Sequence, residues 1–458
     1  MLAGLLATAG APLTAGDDVA LTGRDPALPC NFLLGAGITA AIAAGGVAAA
    51  RLWALRTGRR QRVSLDMRPA TAALRADRYL LVNGKPPPSV WAGVSGIYRT
   101  RDGRWVQLHC NFPHHRAGTL RVLACPEDPA AVAQAVATWD GQALEDALAA
   151  EGLCPGLVRS PQEWLAHPHG AAVAQLPVLE VLRIGDSRPE PLPSGDRPLS
   201  GVRVLDLTRV IAGPVGGRTL AEHGADVLRI RAAHLHDADG LVIDTGHGKL
   251  SANLDLREPA DVERLQALTQ QADVLVQSYR PGALAGRGFS PEAVAALRPG
   301  IVYATLSAYG HQGPWRDRRG FDTLVQSVSG LVHEHSGNDL PPHHLPAQPL
   351  DYVSGYLLAF GVMTALTRRA QQGGSYLVRV SLAQTSRWLS DLGRVDGEAR
   401  GGPDLPAAAI ADLMTERDTA FGRLRYVAPV VQMSETPPRW DRPSTPLGSH
   451  PPEWPPRG

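Results

Sequence analysis

The residues able to do chemistry are few in kind. Four cysteines stand at positions 30, 110, 125 and 154 with no CxxC pair. That spacing argues against a disulfide framework or structural zinc, and sets a reducing cytoplasm as the expected compartment. His333, His335, His343 and His344 flank a loop; no carboxylate or cysteine completes a ligand spacing, so no metal is expected. The run Gly213-Pro214-Val215-Gly216-Gly217 follows the first strand of the second half but lacks GxGxxG spacing and carries a proline in the turn. NAD binding is therefore poorly supported. P-loop, HExxH and GxSxG strings do not occur, which removes the commonest nucleotide, zinc-protease and hydrolase readings. Asp351 opens an apolar helical stretch, a place for a cap, and the free amides of a helix start also stabilise an anion.

The elements that position such residues can be read from periodicity. In the second half, Val202–Leu207 and Asp226–Ile230 are β-rich runs around a helix over Ile211–His223, a βαβ unit. A helix over 258–271 and strands at Asp273–Val276 and Ile301–Leu306 continue the alternation. The fold class expected is α/β, a doubly wound parallel sheet (Rossmann-like), with a smaller α+β domain. Tyr98–His109 reads as a hairpin turning at Asp102-Gly103.

The chain also repeats itself. Residues 35–65 carry a small-residue helix and then Arg62-Val63-Ser64-Leu65; residues 351–382 carry a second helix and then Arg379-Val380-Ser381-Leu382. Aligning Gly46 with Gly361 sets Ala36 opposite Asp351, so the first copy reads as structural. The units expected are an N-terminal extension (1–28), a degenerate helix–strand copy (29–76), and a small α+β domain with its linker (77–195). A Rossmann-like domain (196–390) and a Pro-rich closing segment (391–458) follow. The proline density of the final stretch forbids regular structure there and predicts an extended strap held by Trp440 and Trp454.

Composition excludes partners. With 45 basic and 44 acidic residues, a net charge of +1 and 5% aromatics, nothing favours nucleic acid. Residues 32–50 are uncharged but mostly Gly and Ala, which reads as a close-packed helix rather than a membrane span. Met1–Val19 lacks the basic start of a signal peptide.

Five strings, LSGVRVLDLTRVIAGPVGGRTLAEHGADVLRI, NLDLREP, ADVLVQSYRPGALAGRGFS, LSAYGHQGPWRDRRGFDTLVQSVSGL and PLDYVSGYLLAFGVMTALTRR with VRVSLAQT, occur in order between about 199 and 385. Together they resemble the class III CoA-transferase family (the CaiB/BaiF group). Residues 98–110 resemble its small domain and 429–450 its closing segment. The parts are reordered, because family members place the small domain after the catalytic half.

The resemblance implies catalytic residues Asp351, as nucleophile, and Asp322. It implies CoA contacts at Arg209, Val210, Ile211 and Ala212, at Leu254, Ser278 and Tyr279, and at Arg287. The family's basic residue after the second strand is displaced: Ala232 stands there, with Arg229 and Arg231 nearby. Coenzyme A and acyl-CoA enter as substrates with a carboxylic acid, and no tightly bound cofactor is expected. The family's interlocked homodimers imply a dimer, or a monomer imitating one. Related 2-methylacyl-CoA racemases pair the nucleophile with a histidine before the second aspartate; Phe321 stands there and favours transfer. A non-catalytic acyl-CoA-binding protein is the third reading, motivated by the scrambled order.

Overall fold

In a computed structural model, residues 1–395 and 403–456 are described; parts of the closing segment, 396–402 and 457–458, lie outside the described residues. The first half holds β1 (Asp18–Thr22), β2 (Arg62–Asp66), β3 (Leu81–Val82), β4 (Gly96–Arg99), β5 (Trp105–Leu108), β6 (Pro155–Leu157) and β7 (Leu179–Gly185). The second holds β8 (Arg203–Leu207), β9 (Asp226–Arg231), β10 (Lys249–Asn253), β11 (Val274–Gln277), β12 (Val302–Ser307) and β13 (Ser375–Ser381). After these come β14 (Met414–Thr419), β15 (Gly422–Val427) and β16 (Gln432–Met433).

The central sheet runs β10-β9-β8-β11-β12-β13-β7. Its pairs are parallel except β13 with β7. Alternation along the strands splits the core between two faces. Val204, Val227 and Val276 pack with the helix Ala212–Glu222, while Leu205, Leu228 and Leu275 pack with the helix Pro259–Gln270. This is the doubly wound α/β plan, with the site-bearing loops at the carboxyl ends of the strands.

The two helix–strand copies share one plan. The helices Leu34–Thr57 and Pro349–Gln372 are each 24 residues long, end at glycines of positive φ, and pack against each other. Each is followed by a strand, β2 or β13, with a parallel neighbour on one side and an antiparallel one on the other. Gly46 and Gly361 occupy matching niches. A Cβ on Gly46 would lie 2.8 Å from Val63, and one on Gly361 would lie 2.6 Å from Val378. The copies nevertheless sit in different sheets, because among the described residues β2 pairs with β1 and β16 and not with the central sheet.

Other features depart from the sequence reading. β7, within the stretch read as small domain and linker, is the antiparallel edge strand of the central sheet. The closing segment also contains the antiparallel pair β14–β15, to which β3 adds. Leu424 and Tyr426 alternate inward there, a period-two signal that the neighbouring prolines masked. Beyond it the strap is pinned by Trp440 Nε1 donating to Arg218 O at 3.1 Å and Trp454 Nε1 donating to Leu268 O at 3.0 Å.

One close approach sets the geometry of the site. The helices Ala212–Glu222 and Pro349–Gln372 meet at glycines: a Cβ on Gly355 would lie 2.5 Å from Ala212 O and 2.8 Å from Val215 Cβ. Overpacking such a contact costs about 1–3 kcal/mol. Gly355→Val is expected to lower unfolding free energy by about that amount in a denaturant titration, whereas Gly286→Val, in open space, is expected to change it far less.

Candidate active site

The helix Pro349–Gln372 starts without a capping side chain of its own; Gln348, at the cap position, makes no side-chain cap hydrogen bond. A distant residue supplies the acceptor. Asp322 Oδ2 accepts from the backbone N–H of Asp351 at 2.9 Å across 29 residues, and the Leu350 amide also bonds to Asp322. Gln326 Nε2 donates to the other carboxylate oxygen. Asp322 is 2% exposed and does not line the cavity onto which Asp351 opens. Its contact with Asp351 runs through the backbone amide, which holds the helix start in place.

The first copy supplies a comparison within the molecule. Asp25 accepts from the amides of Gly35 at 3.0 Å and Ala36 at 2.8 Å, the positions opposite Leu350 and Asp351. The same carboxylate-to-amide device thus opens both helices. Only the second carries an acid at the adjacent side chain, so the first lacks the reactive group while keeping the scaffold.

Both aspartates are held above the usual carboxylate range, and the charge of Asp322 contributes to that of Asp351. Burial pushes Asp322 up to about 7 against the pull of its amide donors. Burial first, and then the charges of Asp322 and Asp77, hold Asp351 well above the usual carboxylate range. Asp351 is nonetheless 8% exposed and faces a cavity of about 380 Å³.

That cavity brings together most of the expected contacts. Arg209, Val210, Ile211, Ala212, Ser278 and Tyr279 line it with Asp351. Val210 has φ of 72°, a conformation a β-branched residue adopts only under constraint. It turns the chain from β8 into the Ala212 helix, whose start is buried against Gly355. The guanidinium of Arg209 is already engaged by Asp237 at 3.0 Å. Leu254 and Arg287 do not line this cavity. Leu254 is packed in the core, and Arg287 Nη1 donates to Leu256 O.

Residues not singled out from the sequence complete the wall. Phe112, His114 and His115, from the small domain, face Arg318, Arg319 and Phe321 across the cavity. His109 stacks on Phe321 with ring centroids 3.9 Å apart and planes 7° from parallel, and burial pushes its imidazole down to about 4. Gln107 bonds to Thr323 at 2.8 Å and Ser327 at 2.7 Å, fixing the small domain on the Asp322 helix. The Phe-Pro-His-His string after β5 was the available signal, but nothing local says that it meets residues about 200 positions away.

The profile of CoA-transferase family III matches residues 10–180 and 199–405, and the chain belongs to that family. It is 33% identical over 324 residues to an acetyl-coenzyme A transferase of Hypoxylon pulicicidum, covering 65% of this chain and 54% of that protein. A probable fatty acyl-CoA transferase of Mycobacterium tuberculosis is 31% identical over 199 residues, covering 41% and 50%. A crystal structure of that bacterial protein aligns with TM-score 0.41 at 30% identity, over 43% of this chain and 57% of its own. The chain spans about half the length of these relatives.

The buried pair has a measurable consequence. Both carboxyls hold protons in the folded state that they release when unfolded, where an aspartate titrates near 3.9. Their contribution to stability is therefore full below about 4 and declines as pH rises, that of Asp322 being lost as pH passes through about 7. Asp351→Asn removes the charge from this site. Its melting temperature is expected to exceed wild type at pH 8, with the gap closing as pH falls towards 4, in calorimetry across that range.

Proposed function

We propose that the protein moves CoA from an acyl-CoA thioester to a carboxylic acid, with Asp351 as nucleophile. The observation that carries this reading is the placement of one buried carboxylate on the cavity lined by the Arg209–Ala212 loop, Ser278 and Tyr279. The names of relatives support the reaction class: one is a succinyl-CoA–L-malate CoA-transferase alpha subunit of Chloroflexus aurantiacus. Acyl-CoA and a free acid are the substrates, a cytoplasmic setting is proposed, and so is a homodimer.

The chemistry follows from the carboxylate. Ionised Asp351 attacks the donor's thioester carbonyl; the C–S bond breaks and CoA thiolate leaves, giving a mixed anhydride. The thiolate then attacks the aspartyl carbonyl, releasing the donor's carboxylate and leaving an aspartyl-CoA thioester. The acceptor carboxylate attacks that thioester, and returning thiolate cleaves the second anhydride to give the new acyl-CoA and free Asp351. Every step exchanges one acyl bond for another, so the thioester's free energy is carried through. The amides held by Asp322 keep the Asp351 helix start in place while the side chain reacts. Phe321, the residue before Asp322, has no proton to give, so nothing at that position supports the α-proton exchange of a racemase.

Hydroxylamine trapping tests the covalent step. After incubation with acyl-CoA, Asp351 is expected to become a hydroxamate in peptide mass spectrometry. Asp351→Asn is expected to stay folded and lose transfer by at least about 1000-fold, because an amide forms no anhydride. Transfer persisting in that variant would overturn the mechanism. Deuterium entering the α-position of a 2-methylacyl-CoA without an acceptor acid would favour racemisation.

A further inference from the structure

A second cavity, of about 330 Å³, adjoins that of Asp351 and shares Phe112, Arg209, Val210 and Phe321 with it. Arg229, on β9, lines this second cavity and is 5% exposed. A buried guanidinium ordinarily carries a carboxylate partner. Arg229 makes no ion pair among the described residues; its side-chain hydrogen bond is to Thr245 Oγ1 at 3.2 Å, and its Nε has no partner.

The nearest carboxylates are committed elsewhere. Asp206 takes Lys249 Nζ at 2.7 Å and the Thr208 hydroxyl. Asp237 is shared between Arg209 and Arg231, both at 3.0 Å. The cavity therefore presents a cation lacking a counter-ion, reached past an apolar wall that includes Trp91 and Leu241. Such an arrangement suits a hydrocarbon chain ending in an anion, and the charge-assisted bond would form away from water.

We propose that this cavity recognises the remote anionic group of the acid being transferred, and that Arg229 makes the protein selective for dicarboxylic over monocarboxylic acids. The proposal rests on the transferase reading. In it, the reacting carboxyl lies at Asp351 and the chain runs past Phe321, so that the far carboxylate meets Arg229.

Self-exchange provides the test, since it needs only one acid. Labelled succinate, glutarate and adipate are each exchanged into their own CoA thioester, against butyrate, pentanoate and hexanoate as length-matched controls. The wild-type chain is expected to prefer at least one diacid by ten-fold or more in kcat/KM. Arg229→Met is expected to reduce that preference by about 10- to 100-fold, the value of a charge-assisted hydrogen bond; Arg229→Lys is expected to keep most of it. Trp91→Glu, a change at a 43% exposed residue on the same cavity, is expected to raise KM for the diacid more than for the monoacid without disturbing the core.

A preference unchanged in Arg229→Met would overturn the proposal. Equal weakening of free CoA and pentanoyl-CoA would also overturn it, by assigning the anion to a phosphate of the coenzyme. If no acid exchanges at all, the transferase reading fails separately. Calorimetric titration then decides the site: tighter glutaryl-CoA than pentanoyl-CoA binding that is lost in Arg229→Met supports it, and equal affinities overturn it.

Discussion

The carboxylate of Asp322, bonded to the amides that open the Pro349–Gln372 helix, is the interaction on which the active-site geometry depends. A helix start buried among other elements leaves N–H groups that water cannot reach. Satisfying them with an acid rather than a hydroxyl brings a second charge beside Asp351, and that charge adds to burial in raising the proton affinity of Asp351. The scaffold is thus held by the same group that makes its reactive residue electrostatically uncomfortable. Sites that store such tension commonly lose stability to gain reactivity.

Close backbone packing then brings the loop to the acid. Gly355 lets the Ala212 helix approach without an intervening side chain, and Val210 is forced to a positive φ where β8 turns into that helix. Beneath it runs a charged layer that is fully enclosed: Lys249 with Asp206 at 2.7 Å and Arg218 with Asp244 at 2.9 Å. Burial first, and then the charges of Arg229 and Arg218, push Lys249 down to about 7 against the pull of Asp206. Pairs of this kind contribute little net stability but penalise other arrangements of the same chain. Arg229 stands apart in this layer, since its neighbours are neutralised and it is not.

The reordered chain builds one site from two incomplete copies. The first contributes a helix that packs along its counterpart, and the small domain whose Gln107 and His109 close over the Asp322 helix. The second contributes the sheet and Asp351, the carboxylate on the cavity. Asp25 makes the same cap in the copy that has Ala36 in place of an acid, so the device holds a helix start there with no acid beside it. Edge strand β7 ties the halves further, because it follows the small domain in sequence and completes the catalytic sheet in space.

Local pattern sufficed for the βαβ order, the hairpin at Asp102-Gly103 and the repeat, because each leaves its trace within a few tens of residues, whereas the choice of Asp351 came from the likeness of the 199–385 strings to a family. Alternation of apolar positions reports which face is buried wherever the partner surface lies. The likeness of the 199–385 strings also located the Arg209–Ala212 loop and Tyr279. It did not separate the two aspartates by role: that Asp322 holds and Asp351 faces the cavity depends on an amide contact spanning 29 residues. Nor did it join Phe112, His115 and Arg319, or show that Arg287 and Leu254 lie outside the cavity. Those facts are decided by which surfaces meet when helices close on glycine. Sequence carries the identity of each charge, whereas its partner, and hence whether it is neutralised, exists only after packing. Arg229 illustrates the difference: the sequence marks it only as one of two arginines near the displaced basic position, and its burial without an ion pair among the described residues appears only in the folded chain.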